Sequence, residues 1–472
     1  MISELRNKLV AQILLAVTQI AFPLVTYPVV TRSLGPAGLG TVNYVDAIIQ
    51  AFLVLGSVGI PVYGVREIAI HKNSPAEQSA IFSRLFLIQL MALIPTAGFV
   101  WLTGTIAGAD QKLLILGTIV IACTFFSFEW FLQGHDKFIF IAYRTIITKV
   151  VSAMLIYLLI NDATDYDLYY SILVGAVALN MIFNLFLVLK ITRIKFVWSG
   201  IIKQLYKLNL VYGCYIFASW ITLVDSIILG WMSSTESVGY YSFGYRLVRM
   251  SSMIIPLMGV IFVPQIAFYF NTNNKLEFEK QTKQSLEIIF FAGVPMSFFF
   301  FLLAPELVAV FSGGMFERTI DVIRILSPIP LLTGLSHFTG SQILLPTRRE
   351  KIYLIILAIG FLMNLSIDII FIPVYLEKAA AVSNMIVEFF IVAAGGWYLI
   401  HKKFIGVSLK PVLNSAIASL ILLPVVYLLR YYHFSPLLTV IISVVSLAIG
   451  HTLIYLGFSG KQSQVRKLFS LV

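Results

Sequence analysis

Charge is the first scarcity in this sequence. Only 12% of its 472 residues are Asp, Glu, Lys or Arg, where a soluble globular chain carries roughly 25%. Hydrophobic residues make up 59% of the chain and the mean hydropathy is +0.93. A chain this apolar cannot cover its own surface in water, which excludes a soluble fold and makes lipid the solvent. Cysteine is scarcer still. Cys123 and Cys214 are the only two, and both lie in apolar segments. That excludes a disulfide framework and a cysteine metal pattern. Long polar stretches are lacking as well: the largest run from about 190 to 207 and from 270 to 285, far short of a soluble domain of about 50 residues. No GxxxxGK[ST] loop occurs, so nothing is expected to cradle ATP phosphates. No cofactor is expected, and if the chain does transport work another source must drive it, a proton or sodium gradient being the candidate.

What the sequence does have is a succession of apolar runs bounded by charge, Pro or Gly. They read as an all-α polytopic membrane protein of about fourteen transmembrane helices. The expected spans are 9–30, 40–62, 81–106, 112–133, 138–160, 167–190, 208–231, 241–264, 285–311, 319–346, 350–372, 378–401, 411–429 and 434–457. The first run is too long for the core of a signal peptide and reads as a membrane span.

The formal net charge of +11 would point to nucleic acid in a soluble chain. Here the positive-inside bias accounts for it, and no nucleic-acid partner is expected. With both termini cytoplasmic, the inner segments include Arg6, Lys8, Arg66, Lys72, Arg84, Lys190, Arg193, Lys195, Lys203, Lys207, Lys275, Lys280 and Lys283 among others. They also hold Arg348, Arg349, Lys351, Lys402, Lys403, Lys410, Lys461, Arg466 and Lys467. The outer loops hold Arg32, Lys112, Arg318, Arg324, Lys378 and Arg430, and one of them is acidic, with Asp162, Asp165 and Asp167. The split is about 23 basic residues inside to 6 outside, and gaining or losing one span would scramble it.

A faint internal repeat is visible. The first span exits through Thr31-Arg32-Ser33-Leu34-Gly35-Pro36-Ala37-Gly38-Leu39-Gly40 into Thr41, Val42, Asn43 and Tyr44. About 199 residues later the seventh exits through Ser233 to Gly239 into Tyr240, Tyr241, Ser242 and Phe243. Six spans is an even shift, so the halves would share orientation, as in parallel-repeat transporters. The expected organisation is a six-helix lobe over 1–207, a second over 208–403, and two further helices with a tail over 404–472.

Ionisable residues within a span cost roughly 2.5–3.5 kcal/mol and need a reason. The set comprises Asp46, Glu129, Arg144, Lys149, Asp225, Arg246, Arg249, Asp368 and Glu388, with His337 near the middle of its span. Glu129 lies within reach of an interface, Arg144 is somewhat deeper, and Lys149 and Glu388 are close to the midplane. Arg246 and Arg249, three apart, share a helix face and repel unless an anion lies between them. Asp225 lies at a comparable depth, so a buried ion pair with one arginine and an anion site lined by the other are both open. Asn364 and Asp368, like Asn384 and Glu388, are four apart and face one way, which for the asparagines favours interhelical hydrogen bonding. His337 reads as a satisfied interior histidine rather than a proton relay, and Phe298 to Phe301 as lipid-facing bulk. Basic residues deep in the chain suit phosphate or pyrophosphate, whereas an organic-cation pump calls for a carboxylate-dominated cavity.

Several segments resemble the Wzx-type polysaccharide flippases of the multidrug/oligosaccharidyl-lipid/polysaccharide (MOP) exporter superfamily. They are Tyr27 to Gly40, Tyr63-Gly64-Val65-Arg66-Glu67-Ile68-Ala69, Glu129-Trp130-Phe131-Leu132-Gln133-Gly134, and Asp225 to Tyr241. The resemblance runs in family order over most of residues 1–400. It implies two six-helix lobes around a central cavity, and movement of an undecaprenyl-pyrophosphate-linked oligosaccharide from the inner to the outer leaflet of a bacterial cytoplasmic membrane. It makes Arg144, Lys149, Arg246 and Arg249 candidate holders of the pyrophosphate, joined by Arg32 and Arg66 within the resembling stretches. Many Wzx-type proteins have twelve helices, and lipid II flippases of the same superfamily have two more, as expected here.

The function expected is therefore a flippase working by alternating access for cell-surface polysaccharide biosynthesis, not an enzyme. Its partners would be the lipid-linked oligosaccharide, membrane lipids and other polysaccharide assembly proteins. Asp225, Asp368 and Glu388 are candidates for ion coupling or ion pairing. An ion-coupled organic-cation antiporter of the same superfamily is the first alternative. A membrane-embedded polymerase or ligase is the second, though it would need a sizeable external loop to hold the acceptor sugar.

Overall fold

The structure is a computed structural model that describes residues 2–72, 74–192, 201, 209–406, 410–458 and 465. Arg193, Lys195, Lys203, Lys207, Lys461, Arg466 and Lys467 lie outside the described residues, as does the expected boundary at 207. Among the described residues the chain is helical throughout and contains no strand. It divides into two compact units, Met1–Gly239 and Tyr240–Val472.

In the first unit the helices are α1 (Ile2–Gly56), α2 (Ile60–Ile70), α3 (Pro75–Ile106), α4 (Gln111–Phe125), α5 (Glu129–Gly134), α6 (Phe138–Leu159), α7 (Tyr166–Ile191) and α8 (Asn209–Met232). α9 (Thr235–Ser252) begins in this unit and continues into the second. There follow α10 (Ile254–Val260), α11 (Val263–Asn271), α12 (Lys275–Ser312), α13 (Thr319–Leu326), α14 (Ile329–His337), a π-helical turn (Phe338–Leu344), α15 (Glu350–Tyr375) and α16 (Glu377–His401). The last elements are α17 (Lys410–Ser419), α18 (Leu422–Tyr431), α19 (Pro436–Ser446), a second π-helical turn (Leu447–His451) and α20 (Thr452–Phe458).

Twelve helical stretches among the described residues are long and apolar enough to cross a membrane, against the fourteen expected. Two places account for the difference. The first two expected spans fall in one stretch, Val17–Gly56. Within it Gly35 takes φ 64° and ψ −176°, an extended positive-φ conformation open to glycine at little cost. Pro36 then restarts the helix, a position where its missing N–H is harmless. The eighth expected span, 241–264, is no single helix but α9, α10 and the start of α11. Glu236, Arg246 and Arg249 on α9 deprive it of a continuous apolar window.

The repeat seen in the sequence is a physical contact. A Cβ on Gly40 would run into the carbonyl oxygen of Thr235, and a Cβ on Gly239 into the carbonyl oxygen of Pro36. Gly40 and Gly239 are 199 residues apart, and so are Pro36 and Thr235. Each junction thus meets the other through the same two positions.

The core of the first unit is aromatic. Phe82 stands edge-on to Phe131 with centroids 4.8 Å apart and to Phe128 at 5.1 Å. Trp130, Phe131 and Leu132 are buried. Gly64 leaves room for the Trp130 ring, which a Cβ there would strike. Two of the resembling segments, 63–69 and 129–134, are thus the packed faces of α2 and α5. The acidic residues Asp162 and Asp165 cap the short turn at Ala163–Asp165: the Asp165 carboxylate accepts from the Asn161 and Asp162 N–H groups, both at 2.9 Å.

In the second unit α12, 38 residues long, is the spine. α15 and α16 are antiparallel neighbours joined at Leu376, and Asn364 donates to Ser383 Oγ at 2.8 Å, the interhelical bond expected for it. The Phe298–Phe301 stretch is only partly lipid-facing, since Phe300 is buried and Phe301 exposed. The C-terminal helices are tied to α12 along their length. Arg430 on α18 grips Glu306 with Nε at 2.7 Å and Nη2 at 2.9 Å, and also donates to the Leu302 carbonyl. Ser415 donates to the Phe290 carbonyl and meets His451 Nε2 at 3.1 Å. Tyr455 donates to Glu287 at 3.3 Å.

Candidate functional site

Among the described residues the first unit holds one arginine–glutamate pair, Arg144–Glu129, and the second holds three, of which Arg249–Glu388 is the one set deepest among the helices. In the first, a break at Ser127 and Phe128 separates α4 from α5. Phe128 has φ 48°, and Glu129 begins the new helix. There its carboxylate receives Arg144 Nη2 from α6 and the Gln133 amide at 3.2 Å. The arginine side chain is 5% exposed and the glutamate 42%. Arg144 is therefore held behind Glu129, and the accessible member is the anion. Lys149, one to two turns along α6, lies half-buried with its ammonium 4.0 Å from the centre of the Phe22 ring.

In the second unit the order is reversed. Arg249 Nη1 donates to Glu388 Oε1 on α16 and to Thr333 Oγ1 on α14, both at 2.9 Å. Arg249 is 25% exposed and Glu388 only 7%. The cation is the accessible member, with the carboxylate behind it. Nε and Nη2 of Arg249 make no hydrogen bond to any described residue, so one edge of the guanidinium is clamped and the other carries no hydrogen bond, with Tyr245 and Tyr241 close enough to act on the charge. The contrast is Arg430, whose Nε and Nη2 are both spent on Glu306. Arg318 is similarly spent, on Glu377 at 2.8 Å and on the Tyr240 ring. A guanidinium with a free Nε–Nη2 edge is the fork that receives two phosphate or carboxylate oxygens. Arg246, half-buried, precedes Arg249 by one turn on the same face. His337 follows Thr333 by one turn on α14; its surface is open, yet it lies within the second unit's helices, close enough to Arg249 and Glu388 to feel both charges.

The remaining predicted residues are distributed. Arg32 lies exposed on α1 just before Gly35, and Arg66 exposed on α2. Asp225 on α8 and Asp368 on α15 are fully buried, Asp368 one turn beyond Asn364. Sequence reasoning missed Thr333 as a member of the Arg249 cluster. Its one signal was the four-residue spacing to His337, which puts both on one face of a helix. Outside the spans, Lys72 pairs with Asp136 at 2.6 Å, and the His135 ring packs on Phe131 at 4.5 Å. Burial, with Lys137 and Lys72 nearby, pushes the His135 pKa below its ordinary value of 6.5. No group of three or more His, Cys, Asp or Glu among the described residues could hold a metal ion.

Long apolar helices in two units, each with a charged pair set into them, define a polytopic membrane protein with the fold of the MOP exporters. Its backbone resembles "Lipid II flippase MurJ, inward closed conformation" with a TM-score of 0.71 at 17% identity, covering 97% of this chain and 100% of that one. It also resembles an inward-facing multidrug resistance MATE family transporter of the MOP superfamily, with a TM-score of 0.61 at 13% identity, covering 83% and 99%. Residues 6–270, more than half the chain, match the family described as "Polysaccharide biosynthesis protein", and the chain belongs to that family. Residues 213–370 match the MatE family. A relative in Escherichia coli (strain K12), named "Putative O-antigen transporter", is 22% identical over 381 residues, 78% of this chain and 89% of its own length.

Proposed function

We propose that this protein is a flippase that carries undecaprenyl-pyrophosphate-linked oligosaccharide from the inner to the outer leaflet of a bacterial cytoplasmic membrane, with both termini cytoplasmic. The single observation that carries this reading is the unbonded Nε–Nη2 edge of Arg249, able to receive paired anionic oxygens, on a guanidinium set among apolar helices. The head group, polar and anionic, cannot cross hydrocarbon unaided. In this reading Arg249, with Arg246 beside it, receives the pyrophosphate. Arg32, Arg66 and Lys149 assist along the path, and the polyprenyl tail stays in lipid. Alternating access of the two lobes moves the head group, and a proton or sodium gradient gives direction through Asp225, Asp368 or Glu388. No covalent step is involved, and the product passes to polysaccharide assembly proteins. The similarity to lipid II and O-antigen transporters supports this class of cargo.

The test is transfer between leaflets in reconstituted liposomes of a short-chain polyprenyl-pyrophosphate oligosaccharide. Wild-type transfer that collapses in Arg249→Ala, with the variant still folded, supports the reading. No transfer across several head groups sinks it. A second reading, an ion-coupled antiporter of organic cations, draws on Glu129, the more exposed member of the first unit's pair. Gradient-driven efflux of such a cation, lost in Glu129→Gln, would favour it.

A further inference from the structure

Glu388 is the enclosed charged member of the Arg249 cluster, 5% exposed. One carboxylate oxygen takes Arg249 Nη1 at 2.9 Å, while Oε2 is buried and has no hydrogen-bond partner among the described residues. Orienting the arginine does not need the second charge: Thr333 Oγ1 already takes the same nitrogen at 2.9 Å, and a neutral acceptor could take the other bond. A half-bonded buried carboxylate is costly to keep, so its charge calls for a separate explanation. We propose that Glu388 is an internal counter-anion: it shares the positive charge of Arg249 from behind and so limits how tightly the front edge holds an anionic head group.

The electrostatics follow from the arrangement. With Glu388 ionised, the Arg249–Glu388 pair is close to neutral. An incoming pyrophosphate gains the short bonds of the free edge but also meets a like charge across the guanidinium. In a water-poor setting that repulsion is weakly screened. A carrier needs such a limit, because a site that binds its cargo too tightly cannot let it go on the far side. Several charged and titratable groups bear on Glu388 or lie close by. α9 brings Arg249 and Arg246 with Tyr241 and Tyr245, and α14 brings His337. α15, packed on α16, places Asp368 one turn from the Asn364–Ser383 bond. Glu388 is the one bonded to the arginine edge opposite the proposed ligand. It is a positioning residue, acting through Arg249 and touching no cargo.

The inference rests on the anion-binding reading of Arg249 and can fail separately from it. The experiment measures binding of geranyl pyrophosphate to the full chain in detergent by calorimetry, alongside flipping kinetics in liposomes. Glu388→Gln keeps an acceptor for Arg249 and removes the charge. It is expected to lower Kd about ten-fold or more while slowing turnover at saturation, so that KM and kcat both fall. Thr333→Val removes an orienting bond without touching charge, and is expected to raise Kd. Should Glu388→Gln not fold, Glu388→Met, neutral and of similar volume, carries the same expectation. Wild-type binding that requires Arg249 but is unchanged or weaker in the neutral Glu388 variants overturns the counter-anion and leaves the site standing. No binding by wild type, with Arg249→Ala indistinguishable, overturns both.

Discussion

The two units place the same two side chains in opposite order. In the first, Arg144 is enclosed and Glu129 is the more exposed; in the second, Glu388 is enclosed and Arg249 is the more exposed. Counting charged residues would call them equivalent. The exposure of each member shows otherwise, because an ion pair presents to its surroundings the charge of the partner in front. A buried pair costs desolvation on both sides and contributes little net stability over an apolar replacement. The order of the partners is therefore better read as a statement about ligands than about folding. In this reading the second unit meets an anion first, and the first unit a cation or none.

The comparison can be broken most directly by removing each arginine in turn. Arg249→Ala is expected to reduce flipping of a pyrophosphate-linked lipid about 100-fold, the loss of a charge-assisted pair of hydrogen bonds. Arg144→Ala is expected to leave flipping within about ten-fold of wild type, measured in the same liposomes. Equal losses would erase the distinction between the units. The next effect is on stability. Arg144→Ala leaves Glu129 without its partner, but that carboxylate is 42% exposed and can recover water, so the expected cost is about 1–2 kcal/mol in detergent unfolding. Arg430→Ala leaves Glu306 nearly enclosed, its side chain 10% exposed, and is expected to cost more, about 2–4 kcal/mol, without lowering ligand affinity. The smallest effect concerns His135. Its folded-state pKa lies below 6.5, so the native protein favours the neutral ring. The stability gained this way is full above pH 6.5 and is lost as pH falls through the folded pKa. His135→Phe is expected to flatten melting temperature against pH by about a degree or two between pH 7 and 5.

The spans were legible because an apolar run of about twenty residues has few other uses. The joined first stretch was not, although Gly35-Pro36 stood in plain view. The dipeptide reads as a loop, and only the backbone shows a helix resuming after one residue. The eighth expected span is not confirmed as a single helix for the opposite reason: its apolar residues suffice in number, but the charges on α9 interrupt them. Within the site, the arginines and Glu388 could be singled out because each is costly in lipid. Their pairing could not. Arg249 and Glu388 are 139 residues apart, and nothing local to either selects the other over Asp225 or Asp368. Trp130 and Gly64 stood out as family-like segments. That one is the space the other fills is a fact of packing.

The junctions at Gly40 and Gly239 carry a different lesson. Each glycine accommodates the backbone of the other junction, and the match holds at the same offset for Pro36 and Thr235. A surface that meets its own copy through the same positions is the signature of two identical subunits related by a two-fold axis. At each junction the missing side chain leaves the room that the other junction's backbone fills, so a methyl group added to either glycine would push on both junctions at once.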